Sequence, residues 1–92
     1  MTKKIKKQLK VNINFIVQKV GGKITLFDAE KSLLHSLNDT AAEIYQGFQL
    51  EWDKDKIVKR IASKYNAPED VISRDVEETI EDMQKKNILI TS

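Results

Sequence analysis

The chain has 92 residues, 40% of them hydrophobic, a formal net charge of +2 and no cysteine. That length makes one domain near the lower limit of what buries its own core, and the hydrophobic content excludes a globally disordered chain. Without cysteine there are no disulfides and no thiolate zinc sites. No apolar run approaches the roughly 20 residues that span a bilayer, and the Lys-rich start lacks an apolar signal core, so a cytoplasmic location is expected.

Residues 1–13 read as a basic N-terminal arm carrying Lys3, Lys4, Lys6, Lys7 and Lys10 without an acid. Its plain reading is a solvated terminus; its functional one is a grip on an acidic partner. Leu9, Val11 and Ile13 alternate and would extend the first strand. Residues 14–92 then form the domain proper. Asn14 to Val20 alternates as a strand, Gly21-Gly22 supplies a tight hairpin turn, and Lys23 to Asp28 returns. Asp28 to Lys31 is a polar turn. Ser32 to Leu37 is a third strand with Leu33, His35 and Leu37 on one face and Ser32, Leu34 and Ser36 on the other. Connections this short favour an antiparallel meander.

The period then becomes helical. Asn38 is a good N-cap, although Thr40 with Glu43 also fits a capping box. Ala41, Ile44, Tyr45 and Phe48 share a face. Asp53 caps a second helix, Lys54 to Lys64, with Ile57, Val58, Ile61 and Tyr65 as its stripe. Pro68 suits the first position of a third helix, whose core stripe is Ile72, Val76, Ile80 and Met83. Asn87 is a left-handed stop, and Ile88, Leu89 and Ile90 pack back on the core. The fold class is therefore α+β: a three-stranded antiparallel sheet followed by three helices, winged-helix-like. Such a sheet keeps two open edges, and an open edge invites a bound peptide strand or a second copy of the chain, a homodimer.

Three stretches carry a family resemblance: GGKITLFDAEKSLLHSLNDTAAEIYQGF, DKIVKRIASKY and PEDVISRDVEETIEDMQKKNIL. Their landmarks are Leu37, Asn38, Thr40, Ala41, Asp75 and Val76. Over residues 14–90 the chain resembles the PqqD-like domains (pyrroloquinoline quinone biosynthesis protein D), the peptide-recognition elements of ribosomal peptide biosynthesis. One departure stands between the first two helices, where family members often have an Asp-Gly turn and this chain has Gln49-Leu50-Glu51-Trp52. The resemblance implies a domain with no catalytic residues, no metal and no cofactor. It would bind the leader of a precursor peptide and present it to a modifying enzyme, often a radical S-adenosylmethionine maturase. In the family the leader adds as a strand to the third strand, beside the third helix. That carries over here to Ser32, Leu33, Leu34, His35, Ser36 and Leu37. Of the two flanks of the third helix, the one with Val71, Asp75, Glu78, Thr79 and Asp82 joins an apolar floor to acidic walls and is preferred over the one with Ser73, Glu77 and Gln84.

Plainer readings stand beside these. Leu33 and Leu37 are expected in the core, with Leu34 divided between core and contact. His35, the lone histidine, reads as a strand residue rather than a metal ligand, and Asp75 as much a helix-dipole partner as a ligand contact. Tyr45, Trp52 and Tyr65 read as core or rim packing. No phosphate loop, nucleophile–base pair or metal-ligand spacing is present. The rival class is a winged-helix DNA-binding regulator, supported by the Lys-rich arm and the basic second helix (Lys54, Lys56, Lys59, Arg60 and Lys64). Against it, residues 69–86 carry seven acids and three bases, which phosphates would repel, so nucleic acid is not the expected partner. A scaffold subunit of a larger enzyme is a third reading.

Overall fold

The computed structural model describes residues 9–91; Lys3, Lys4, Lys6 and Lys7 of the basic arm lie outside them. The element order is β1 (Leu9–Val11), β2 (Phe15–Val20), β3 (Lys23–Asp28), β4 (Leu33–Leu37), α1 (Asp39–Gln49), α2 (Lys54–Tyr65), α3 (Glu69–Lys85) and β5 (Leu89–Thr91). Strands β2, β3 and β4 form an antiparallel meander in that order, as the short connections require.

The end of the N-terminal arm departs from expectation. Leu9 to Val11 does not lengthen β2. It pairs antiparallel with β5, Leu9 opposite Thr91 and Val11 opposite Leu89, in a separate two-stranded ribbon. Asn12 makes the break. Its carbonyl accepts from the Phe15 amide and its side-chain oxygen from the Asn14 amide, which turns the chain, while its own amide donates to the Ile88 carbonyl. Its Nδ2 donates to the Asn87 carbonyl at 2.8 Å. Ile13 is left fully in solvent.

Gly21 and Gly22 have φ of 59° and 81°, the positive values that a two-residue hairpin needs and that cost glycine little. At the other end of β3, Asp28 is buried, and its Oδ1 accepts from the amides of Glu30 and Lys31, closing a side-chain turn. Ser32 belongs to that turn, with φ 53°, so the following strand starts one residue later than expected.

The helix starts follow from side-chain caps. Asn38 Oδ1 accepts from the Ala41 amide at 2.8 Å, and Asp53 Oδ1 from the Lys56 amide at 2.9 Å. Pro68 is the N-cap of α3 rather than its first helical residue, and offers no side-chain acceptor; Glu69 and Asp70 complement the helix dipole instead. All three helices end in the same double bond pattern. Trp52 and Glu51 donate to Gly47 and Phe48, Ala67 and Asn66 to Ala62 and Ser63, and Ile88 and Asn87 to Met83 and Gln84. The left-handed residues are Glu51, Asn66 and Asn87. The Gln49–Trp52 loop thus makes the usual turn without a glycine.

The core joins Phe15, Ile24 and Leu26 of the sheet to Ile44, Tyr45 and Phe48 of α1, Ile57, Val58 and Ile61 of α2, Val76, Ile80 and Met83 of α3, and Ile88 and Leu89. Leu37 packs against it partly buried, but Leu33, expected inside, is 48% exposed at the start of β4. Tyr65 is half exposed at the last turn of α2, beneath the Lys64 ammonium rather than in the stripe. Trp52 packs on the core edge under Lys56 and Arg60. The α1–α2 crossing depends on Gly47, where a Cβ would lie 2.6 Å from Ile57 Cγ1.

Two outcomes are expected. A glutamate at a left-handed position is strained by about 1 kcal/mol relative to glycine; Glu51→Gly therefore raises the urea midpoint of unfolding by that equivalent with an unchanged slope. Burial raises the Tyr45 phenol above its ordinary 10.0. The folded state keeps this proton after the unfolded chain has lost it, so the contribution is intact below pH 10 and fades as pH rises further. Denaturant titrations from pH 8 to 11 should show a decline that is shallower in Tyr45→Phe.

Candidate functional site: an open strand edge facing the third helix

The hairpin turn determines which way the β4 backbone points. A two-residue turn makes Val20 and Lys23 a hydrogen-bonded pair. Alternation along the ladder then directs the amides and carbonyls of Ile24, Leu26 and Asp28 to their partners Leu37, His35 and Leu33 on β4. Those of Leu34 and Ser36 point the other way, to an edge that no strand pairs with among the described residues. The arm segment at residues 9–11 is engaged with β5 and does not cover it.

Across from that edge lies α3. No Cα of β4 comes within 8 Å of a Cα of α3, and the space between them is a groove of about 470 Å³. A strand added to a sheet runs 4.7–4.9 Å from its neighbour, and the groove lies along the edge where such a strand would sit. Leu34, His35, Ser36 and Leu37 form one wall, and Glu78, Thr79 and Asp82 the other. Asn38 and Ala41 at the start of α1 border the groove, as do Met83, Lys86 and Ile88 at the end of α3 and beyond.

Of the residues expected at the site, those seven wall residues share this groove. Ser32 sits in the preceding turn and Leu33 at the entry of β4, and neither borders it. Asp75 lines a second cavity of about 300 Å³ with Asp39, Thr40, Ile61, Tyr65, Ile72 and Val76. Val71, 51% exposed near the start of α3, lines neither. On the alternative flank, Glu77 is ion-paired with Lys54 of α2. Asn38, Ala41, Met83, Lys86 and Ile88 border the groove without being expected there: Asn38 reads in the sequence as a cap and Met83 and Ile88 as core, and no local pattern brings a cap, a core stripe and a terminal segment to one groove.

The groove is less acidic than the helix. Lys86 Nζ lies 2.8 Å from Asp82 Oδ2, while Glu78 has no ion pair among the described residues. The Thr79 hydroxyl donates back to the Asp75 carbonyl at 2.9 Å. His35 lies beside Phe15, ring centroids 6.0 Å apart, and no group of three or more potential metal ligands is found among the described residues. None of their helices is long and apolar enough to cross a membrane.

Two solved structures share this fold. TbiB1 in complex with the TbiA(beta) leader peptide has a TM-score of 0.81 at 15% identity, covering 87% of this chain and 93% of that one. Lasso peptide synthetase B1 complexed with the leader peptide has a TM-score of 0.82 at 18% identity, covering 90% and 98%. No curated protein sequence matches the chain. The family model of coenzyme PQQ synthesis protein D matches residues 23–89, from the start of β3 to the start of β5. The chain belongs to the PqqD family.

Proposed function

We propose that this protein is a non-catalytic module that recognises the leader of a ribosomally made precursor peptide by β-strand addition and presents it to a modifying enzyme, often a radical S-adenosylmethionine maturase. The observation that carries this reading is the outward edge of β4, unpaired among the described residues, with a groove of about 470 Å³ between it and α3. Both structures of the same fold are described as leader-peptide complexes, which supports the same occupant here. The DNA-binding alternative gains nothing from the geometry, because the helix facing the groove places Glu78 and Asp82 along it. The site supplies shape and backbone groups, consistent with binding rather than turnover, and a cytoplasmic setting beside the precursor and its enzyme suits that role.

Leu34 and Ser36 each offer one amide and one carbonyl to the incoming backbone. Each ladder bond contributes about 0.5–1.5 kcal/mol net, and each fully buried apolar leader side chain about 1.5–3 kcal/mol. A few bonds with two such anchors, less the ordering of a flexible peptide, reach about micromolar affinity. Charge contributes less, since Asp82 is already paired and exposed pairs are weak.

Leu34→Pro tests the edge. Proline at 34 removes an amide that faces outward rather than one the β3–β4 ladder uses, so the sheet tolerates it. Titrated with a synthetic leader from a precursor encoded beside this gene, Leu34→Pro should bind about tenfold weaker or worse, with native helical circular dichroism. Unchanged affinity in the folded variant would rule out strand addition at β4.

A further inference from the structure

Side chains that face each other across an antiparallel ladder share one face of the sheet. On the face away from the core, Ile16 of β2 is opposite Phe27 of β3, and Phe27 is opposite Leu34 of β4. They form one apolar row that runs to the outward edge of β4, unpaired among the described residues, and stops there. Exposure follows position. Phe27, flanked on both sides, is partly buried, whereas Ile16 and Leu34, each with one neighbour, are 54% and 65% exposed. The next row, Gln18, Thr25 and Ser36, is polar throughout.

An unprotected apolar edge is a liability that proteins ordinarily blunt with charge. The other edge strand, β2, carries Lys19, but β4 reads Leu-Leu-His-Ser-Leu without a lysine or a carboxylate. Leu34 is therefore an apolar side chain held where a strand added to β4 sets a neighbour beside it.

We propose that the outer face of the sheet is a second reading surface for the bound peptide, which supplies an apolar side chain opposite Leu34 to complete the Ile16–Phe27–Leu34 row. The inference rests on the strand-addition reading above and adds a specificity that the groove does not contain. Because Leu34 and Ser36 point their backbone groups outward, the peptide residues opposite them form the hydrogen-bonded pairs, and their side chains lie on the outer face. The residue between these two faces the groove. The preferred segment is thus not a simple alternation of apolar and polar residues. Its groove anchors alternate with one outward apolar residue opposite Leu34 and one outward position opposite Ser36 where polar side chains are accepted.

The probe is a 16-residue peptide selected from a displayed random library against the full chain and mapped to β4 by the amide shifts of Leu34 and Ser36. Leu34→Thr keeps a strand-favouring residue at an exposed position and should weaken this peptide about tenfold. One outward peptide position should lose affinity on serine substitution with the wild-type chain and lose none with Leu34→Thr. Ser36→Val is a second arm, tightening binding of a peptide variant that has valine opposite position 36. If Leu34→Thr binds within about twofold of wild type while Leu34→Pro abolishes binding, strand addition stands and the outer row is overturned. If both variants bind normally, or no selected peptide shifts the β4 edge, both readings fall.

Discussion

One residue separates β4 from α1, and the groove depends on it. Asn38 stays extended, with φ −72° and ψ 178°, while its side chain caps the helix and its carbonyl accepts from Ala42. So short a connection leaves α1 no freedom to swing away. The helix lies against the sheet and α3 together, burying Ala41, Ile44, Tyr45 and Phe48, and acts as a wedge. The apolar stripe of α3 meets the wedge and α2 instead of collapsing onto β4. An α3 packed on the strand would close the groove.

The charges on α3 divide by direction. Glu77 is tied to Lys54, and Glu43 of α1 to Lys64, whose ammonium pKa is raised by that hydrogen bond and by the charge of Glu43. These pairs knit helices together at the surface. On the groove side Asp82 is shared with Lys86, so the acid-rich composition of residues 69–86 overstates the field a peptide would meet. Under the strand addition proposed above, recognition would fall to backbone ladder groups and apolar contact, the terms least sensitive to salt.

Much of this was legible because it is local. Gly21-Gly22, the caps at Asn38 and Asp53, the left-handed Asn87 and the stripes of α1 and α3 are each specified within a few residues. The β1–β5 ribbon was not, since Val11 and Leu89 are joined by long-range pairing that neither segment announces. Boundaries moved where one residue serves two roles: Ser32 closes the Asp28 turn instead of opening the strand, and Pro68 caps instead of starting a helix. Within the site, helical spacing placed Glu78, Thr79 and Asp82 on one flank. It did not show that Asp75 lies instead in the cavity beside Asp39 and Thr40 and that Val71 borders neither space, because how two elements face each other is a tertiary quantity.

The terminal ribbon also bears on how the molecule assembles. The meander hairpins and the consecutive helices bring near neighbours together, whereas joining β1 to β5 closes a loop of most of the chain and carries the largest closure entropy in the fold. Non-local pairings of this kind slow folding. Ile88 and Lys86, at the lower end of the groove, sit where that ribbon is sewn on through Asn12. Closure entropy thus favours an order in which the wing and helices form before this seam, which makes the Ile88 end of the groove the part completed last.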